Sequence, residues 1–380
     1  MDFDFSEEQR MFKEAIHSFA EKEISPLVDE AEKTATFPLQ LFPKMGELGY
    51  LCVRYPAEYG GAGIGKIGDC ISVEEVSYFS VGIAAGTMVQ GGIGTSAIYA
   101  RGSEDQKQKY LVPAISGQRI AAFGLTEPNA GSDAASIETI ATKRNGKYVL
   151  NGTKMFITNG NICDFVVAAA YTDKSKGARG GVSLFIVEKG TPGFTRSKLH
   201  KFCARSGEIA ELTFEDCAVP EENLIGEEGR GFPYLMETLM GGRISHAARS
   251  LGLARAAYDE SLEYAKARVQ FGQPIAKFQT NAFKLARMAM ELEAARWLVY
   301  YAAWLYSQDK PYVKEAAMAK LYASEVAAHI TTEALQIHGG YGLMEESVAQ
   351  RYFRDARLGT ITEGTSEIQQ LVISREIGIR

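Results

Sequence analysis

One carboxylate near the C-terminus sits where residue types and spacing could do chemistry. It is Glu363, in Asp355-Ala356-Arg357-Leu358-Gly359-Thr360-Ile361-Thr362-Glu363-Gly364-Thr365-Ser366-Glu367-Ile368-Gln369-Gln370. Helix-like segments lie on both sides of it, and Gly364 lets the backbone take a turn that a bulkier residue resists. A hydroxyl at Thr365 or Ser366 can cap the helix that follows, and Glu367 suits its first turn. A carboxylate on such a turn, braced from both sides and kept dry, has what a general base needs. The same residues also spell an ordinary cap joining two surface helices.

Four other stretches carry residues suited to holding a ligand. In Phe123-Gly124-Leu125-Thr126-Glu127-Pro128-Asn129-Ala130-Gly131-Ser132-Asp133, Gly131 allows close approach to backbone amides and Ser132 offers a donor. A plain Gly/Pro loop between a helix and a sheet reads the same way. Lys154-Met155-Phe156-Ile157-Thr158-Asn159-Gly160 reads as a strand end with an aromatic ring. In Arg268-Val269-Gln270-Phe271-Gly272-Gln273-Pro274-Ile275-Ala276-Lys277-Phe278-Gln279, the Arg268 guanidinium is a fork of donors that suits a pyrophosphate. In Gln336-Ile337-His338-Gly339-Gly340-Tyr341-Gly342, His338 reads as a satisfied structural histidine. Gly60 to Lys66 nearly spells a phosphate loop, but Ile67 follows and no strand precedes it, so a flexible loop suffices.

The elements that must position these residues change period twice. Ser6-Glu7-Glu8-Gln9 is a capping box, and Met11, Phe12, Ile16 and Phe19 follow at helical spacing. Helical patterns continue near 39–48 and 69–99, and Ser103-Glu104-Asp105-Gln106 starts a helix that Pro113 is expected to close. Arg144-Asn145-Gly146-Lys147 is a hairpin turn. Phe165–Tyr171, Val182–Val187 and Glu211–Phe214 read as strands. Gly229-Arg230-Gly231-Phe232 is a hinge, after which helical patterns cover roughly 233–268, 277–306, 311–340 and 344–357. The expected division is a helical domain over 1–118, a β domain over 119–228 and a helical bundle over 229–380.

Composition narrows the function classes. The 380 residues suggest two or three domains, and 46% hydrophobic with 23% charged residues suits a folded soluble protein. Net charge is −6 and no basic run occurs, which argues against nucleic acid. No apolar run reaches the roughly 18–20 residues of a membrane span. Met1-Asp2-Phe3-Asp4 is acidic, without a basic-then-apolar signal. Cys52, Cys70, Cys163, Cys203 and Cys217 are scattered, odd in number and without zinc spacing, so free thiols and a cytoplasmic setting are expected.

Arg-Asp-Ala followed by Glu-Gly-Thr-x-x-Ile-Gln resembles the C-terminal signature of the acyl-CoA dehydrogenases, and the other stretches resemble that family's motifs in the family's order. The resemblance spans nearly the whole chain. It implies an α+β multidomain fold: an all-helical N-terminal domain, a β-barrel or sandwich-like middle domain and a C-terminal four-helix bundle. It implies FAD as cofactor and α,β-dehydrogenation of an acyl-CoA thioester, with Glu363 taking the α-proton. Carried over residue by residue, Phe123, Leu125, Thr126, Phe156 and Thr158 face the flavin. Arg268, Phe271 and Gln279 reach the FAD of a neighbouring subunit. Gln336, Gly339 and Gly340 lie at the adenosine end, and Thr365 and Glu367 at the phosphate side. Ser132, Arg243 and Gly364 meet the acyl-CoA.

The chain departs from the family at several positions. Many members have Trp at Phe156, Tyr at Thr362 and Asp at Met240, and one branch has its base at Gly242. The absent alternative base supports Glu363. Thr362, the small residues of Gly82–Gly94 and the lack of Arg or Lys between Lys66 and Arg101 suggest a short, branched or alicyclic acyl group rather than one with a distal carboxylate. Implied partners are electron-transferring flavoprotein and further copies of the chain, in a homotetramer built as a dimer of dimers. The competing readings are a flavin-dependent oxidase or monooxygenase on this fold, and a non-catalytic helical scaffold.

Overall fold

The computed structural model describes residues 4–379. Met1, Asp2, Phe3 and Arg380, and so most of the acidic N-terminal stretch, lie outside the described residues. The first third is helical: α1 (Glu7–Phe19), α2 (Ser25–Thr34), α3 (Leu41–Glu47), α4 (Gly65–Phe79), α5 (Val81–Gly91), α6 (Ser96–Arg101), α7 (Glu104–Gln106) and α8 (Val112–Ile115). The capping box forms at α1, with Ser6 Oγ accepting from Gln9 N and Gln9 Oε1 accepting from Ser6 N. Phe12, Ile16 and Phe19 are buried as their spacing predicts, but Met11 points to solvent at 64% exposure. Pro113 does not close its helix. A π turn over Lys107–Leu111 widens the ladder, and α8 carries Pro113 in its first turn, where a missing N–H is tolerated.

The middle of the chain is one seven-stranded sheet: β1 (Ala121–Gly124), β2 (Ile140–Arg144), β3 (Lys147–Thr158), β4 (Phe165–Tyr171), β5 (Val182–Glu188), β6 (Phe194–Lys198) and β7 (Ile209–Pro220). The strand order is β1-β4-β2-β3-β7-β6, with β5 on β4. A short helix, α9 (Gly177–Gly181), leads into β5. Asn145 and Gly146 both take positive φ in the β2–β3 hairpin, as an Asn-Gly turn requires. The sheet curls around its own core of Leu150, Val166, Phe185, Leu212 and Phe214. The stretch read as Glu211–Phe214 is the middle of the longer β7.

The last third contains α10 (Gly231–Ala267), the two-residue strands β8 (Val269–Gln270) and β9 (Gln273–Pro274), α11 (Gln279–Ser307), α12 (Val313–His338), α13 (Val348–Ile361) and α14 (Ser366–Glu376). The expected four long helices are present, and α14 is a fifth that packs on α12. Helix α10 is buried along much of its length between α4, α11 and α12. It lies so close to α4 that a Cβ at Gly252 would overlap Glu74 O and Ser77 Oγ. A buried ion network locks the same contact. Arg255 donates to Glu74 at 2.6 Å and Glu75 at 2.7 Å, Tyr300 OH donates to Glu74 at 2.6 Å, and His17 Nδ1 lies 2.7 Å from Glu75. Four helices, α1, α4, α10 and α11, are thereby fixed to one another.

Two expectations need physical correction. The near phosphate loop is structural: Lys66 is buried in α4 and donates to Asp69 at 2.7 Å and to Ser245 on α10. Three glycines of Gly82–Gly94 are close-packing positions, where a Cβ would meet protein atoms. Gly82 lies against Ser206 and the Gly207 backbone, Gly91 against Leu51 O, and Gly86 against the Phe37 ring. Among the described residues no helix is long and apolar enough to cross a membrane.

Candidate active site

The turn that carries Glu363 joins α13 to α14. Thr362 leaves α13 in an extended conformation, and then Glu363 takes φ 59° and Gly364 φ 88°. The sequence places the unusual backbone at Gly364, but Glu363 adopts it too. For a residue with a Cβ this costs about 1–2 kcal/mol and persists only where its surroundings enforce it. Here they do. Lys320 Nζ, fully buried on α12, donates to Gly364 O at 2.6 Å. Gln369 Nε2, fully buried on α14, donates to Glu363 O at 3.1 Å and Gly364 O at 2.9 Å. Thr365 caps α14 by accepting from Ile368 N.

The carboxylate itself is packed against α10. A Cβ at Gly242 would overlap Glu363 Oε1, and Ile93 Cγ2 lies 3.2 Å from the same point. Glu363 Oε1 is buried without a hydrogen-bond partner, and so is Arg243 Nε. Burial raises the proton affinity of Glu363 above the ordinary glutamate range, and the cations Arg249, Arg243, Lys320 and Lys66 oppose that shift. Burial likewise lowers Lys320 to about 8 and Arg249 to about 10, with Glu363 acting against both shifts. The Glu363 amide donates to no acceptor among the described residues. A half-buried carboxylate with one buried, unpartnered oxygen beside free donors can accept a proton from a carbon acid.

Another group of predicted residues lies along one edge of the sheet. Phe123 on β1 and Leu125 just after it are buried, and Thr126 O accepts from Met155 N at 2.8 Å. Strand β3 has an irregularity between Lys154 and Ile157, and Phe156 within it takes φ 61° with its side chain 64% exposed. Thr158, at the end of β3, is half-buried. Lys154, below the irregularity, pairs with Glu127 at 2.6 Å, and Glu127 also accepts from Thr139 N and Glu138 N. This buried pair ties the Glu127 loop to the bulge. Ser132, on the same loop, is exposed.

A further group surrounds the β8–β9 hairpin and the end of α12. A cleft of about 450 Å³ is lined by Arg268, Gly339, Gly340, Tyr341, His338 and Tyr264, among others. The Arg268 guanidinium lies over Tyr341 at 5.4 Å. His338 stacks on Tyr264 and its Nδ1 donates to Ala334 O at 2.8 Å. Gln336 and Gln279 are exposed, and Phe271 at the hairpin tip is 93% exposed with φ 51°. Thr365 and Glu367 lie instead with Glu363, at the start of α14.

Sequence reasoning missed what stands behind Glu363. His246 and Arg249 on α10 and Lys320 on α12 are buried beside the Glu363 turn. The signal was available: Arg243, His246 and Arg249 recur at three-residue spacing inside an apolar helix, and such a polar row marks one face. Sequence reasoning treated Gly242 only as a missing alternative base. Its further role is to leave room for the Glu363 carboxylate.

The chain matches three consecutive family descriptions: "Acyl-CoA dehydrogenase, N-terminal domain" over residues 6–118, "middle domain" over 122–217 and "C-terminal domain" over 229–378. It is 45% identical to the short-chain specific acyl-CoA dehydrogenase of Clostridium acetobutylicum, covering 99% of this chain and 100% of the relative. Butyryl-CoA dehydrogenase from Megasphaera elsdenii superposes with a TM-score of 0.96 at 44% identity, covering 99% and 100% of the two chains. A chain from structural work on the electron transferring flavoprotein of Acidaminococcus fermentans and flavin-based electron bifurcation superposes with a TM-score of 0.97 at 46% identity, covering 100% of each. The protein belongs to the acyl-CoA dehydrogenase family, a family of FAD-dependent oxidoreductases.

The contact at Gly242 yields a sharp expectation. In Gly242→Ala the new methyl displaces the end of a flexible side chain, so the protein still folds. The Glu363 carboxylate shifts from its position, and turnover falls roughly a hundredfold, as expected for a misplacement of about 1 Å. Wild-type turnover in a Gly242→Ala protein of unchanged melting temperature would show that the carboxylate has no fixed position to lose.

Proposed function

We propose that Glu363 removes the α-proton of an acyl-CoA thioester in this acyl-CoA dehydrogenase. The observation that carries the reading is a half-buried glutamate on a clamped left-handed turn, with its Oε1 buried and unpartnered. Burial raises its proton affinity and so narrows the gap to a weak carbon acid. The Glu363 amide is one donor available to a developing enolate oxygen, and Arg243 adds positive charge beside the acid. When bound, FAD supplies the acceptor for the β-hydride and passes the electrons on.

The residues present fit that cofactor. The exposed, strained Phe156 offers a ring for stacking next to Phe123, Leu125, Thr126 and Thr158. The cleft at Arg268, Gly339 and Gly340 would take a nucleotide end, with Gln336 beside it. Thr365 and Glu367 at the start of α14 would lie toward the phosphates, and Ser132, Arg243 and Gly364 toward the CoA thioester. Phe271 and Gln279, exposed at and after the hairpin, would reach the cofactor of a neighbouring copy.

The acyl group in this reading is short, branched or alicyclic. Thr362 in place of a larger residue supports it, and so do relatives named as short-chain specific. The electron acceptor is an electron-transferring flavoprotein, supported by the similarity to the Acidaminococcus fermentans chain. Five free, buried cysteines support a reducing compartment, the cytoplasm. A homotetramer is supported by α11, where Phe283, Met290, Trp297 and Trp304 are exposed at seven-residue spacing. Such a straight apolar row suits a helix of another copy.

Three experiments test these statements. Glu363→Gln should fold and bind FAD and acyl-CoA, yet its flavin should no longer bleach in a single turnover. The loss should be about 10²–10⁴ or more, because water does not replace a base in a dry site. Near-normal reduction would move the base elsewhere. A panel of acyl-CoAs with an artificial acceptor should give the fastest turnover on short, branched or alicyclic chains; a preference for long straight chains or glutaryl-CoA overturns that assignment. By light scattering the protein should be a tetramer, and Met290→Asp should yield smaller species. A wild-type monomer that retains full FAD would contradict the shared site.

A further inference from the structure

The polar row on α10 is more than a lining for the base. His246 and Arg249 are 2% and 3% exposed, so each buried donor and acceptor needs a partner. Arg249 Nη2 lies 3.2 Å from His246 Nδ1. A guanidinium only donates, so Nδ1 accepts, and the neutral ring carries its proton on Nε2. His246 Nε2 lies 2.9 Å from Thr362 Oγ1, so that proton points at the hydroxyl. Thr362 Oγ1 in turn lies 2.9 Å from Leu358 O, which can only accept. The hydrogen bonds therefore run one way, from Arg249 through His246 and Thr362 to Leu358 O. Arg249 Nη2 also reaches Thr362 Oγ1 directly at 3.4 Å.

We propose that Arg249, His246 and Thr362 form a positioning relay for the base. The relay fixes the residue before Glu363 and sets a permanent positive charge behind it. It rests on the reading of Glu363 as the base and explains how that residue is aimed. Lys320 and Gln369 hold the far side of the turn through carbonyls, and the relay holds the near side through the Thr362 hydroxyl. Without it Thr362 has only its helical contact to Leu358 O, which does not determine how the chain enters the left-handed turn.

The charge has its own effect. The groups facing Glu363 are Arg243, His246 and Arg249 from α10, Lys320 from α12 and Lys66 from α4, the last already paired with Asp69. Among these charges, Arg249 is the strongest influence favouring the ionised form. His246 is kept neutral by burial and by Arg249 and Lys320, so it transmits a hydrogen bond without adding charge. The sign follows: removing the Arg249 charge raises the proton affinity of Glu363 further. At a given pH less of the base is then ionised, and the acid limb of kcat/KM moves to higher pH.

The test compares variants of the FAD-loaded enzyme in single-turnover flavin reduction. Thr362→Val should slow reduction roughly tenfold to a hundredfold with little change in KM, and Thr362→Ser should recover most of the loss. Arg249→Gln should move the acid limb to higher pH, and Arg249→Lys should return it. A Thr362→Val enzyme of wild-type rate, or an Arg249→Gln enzyme with an unmoved limb, overturns the relay even if Glu363→Gln is dead. Failure of the base assignment shows differently, as an active Glu363→Gln. If the variants do not fold, histidine nitrogen spectra of the wild-type holoenzyme decide. His246 should show an unprotonated Nδ1 and a protonated Nε2 between pH 6 and 8, and a charged ring or the opposite tautomer overturns the proposal.

Discussion

The left-handed turn at Glu363 depends on three buried hydrogen-bond donors that come from three different helices. Lys320 on α12 and Gln369 on α14 donate to the carbonyls of Glu363 and Gly364, while His246 on α10 donates to the hydroxyl of Thr362. No single helix determines the conformation. A φ of 59° at a glutamate is unfavourable on its own, and the surrounding bundle must be assembled for it to hold. Helix α10 is buried for much of its length against α4, α11 and α12. Its contacts with α4, through Gly252 and the Arg255–Glu74–Glu75 network, set the depth at which Gly242, His246 and Arg249 meet the turn.

The electrostatics of the site are a contest between burial and charge. Taking a carboxylate out of water favours its neutral form, and an unpaired ionised acid in a dry interior is costly. The surrounding cations favour the ionised form, yet burial prevails and the proton affinity of Glu363 is raised. A base needs both influences. Burial alone would make it hold its proton more tightly, and close ion pairing would make it a weaker base toward carbon. Arg243, with its Nε unpartnered, and Glu363, with its Oε1 unpartnered, are consistent with charge that acts without direct bonding.

Much of the architecture was legible because it is local. The capping boxes at Ser6 and Ser103, the Asn145-Gly146 hairpin and the apolar strands each involve residues close in sequence. Glu363 stood out for the same reason, since the turn and cap around it are contiguous. What sequence did not reveal depends on distant segments meeting. Pro113 reads as a helix end until the preceding π turn is seen. Gly82, Gly86 and Gly91 read as space for a ligand, whereas Gly82 and Gly91 pack against other backbone and Gly86 against the Phe37 ring. Lys154 and Glu127 are separated along the chain, and only the sheet brings them together. The row on α10 was visible as a pattern, but its meaning required knowing that Thr362 faces it.

The two groups of residues proposed to hold the cofactor also differ in how one chain holds them. Phe123, Leu125 and the Glu127–Lys154 pair are buried and fixed within a single sheet. Phe271 and Gln279 stand in solvent on and after a hairpin of two-residue strands, and among the described residues the Phe271 ring has only an edge contact with Phe278. An aromatic ring exposed to this degree gains stabilisation only when another surface covers it. If a neighbouring copy and its cofactor provide that surface, assembly and cofactor retention become linked equilibria, each strengthening the other by mass action. The proposed flavin site would then be completed by association, while Glu363, held by three helices of its own chain, would not depend on it.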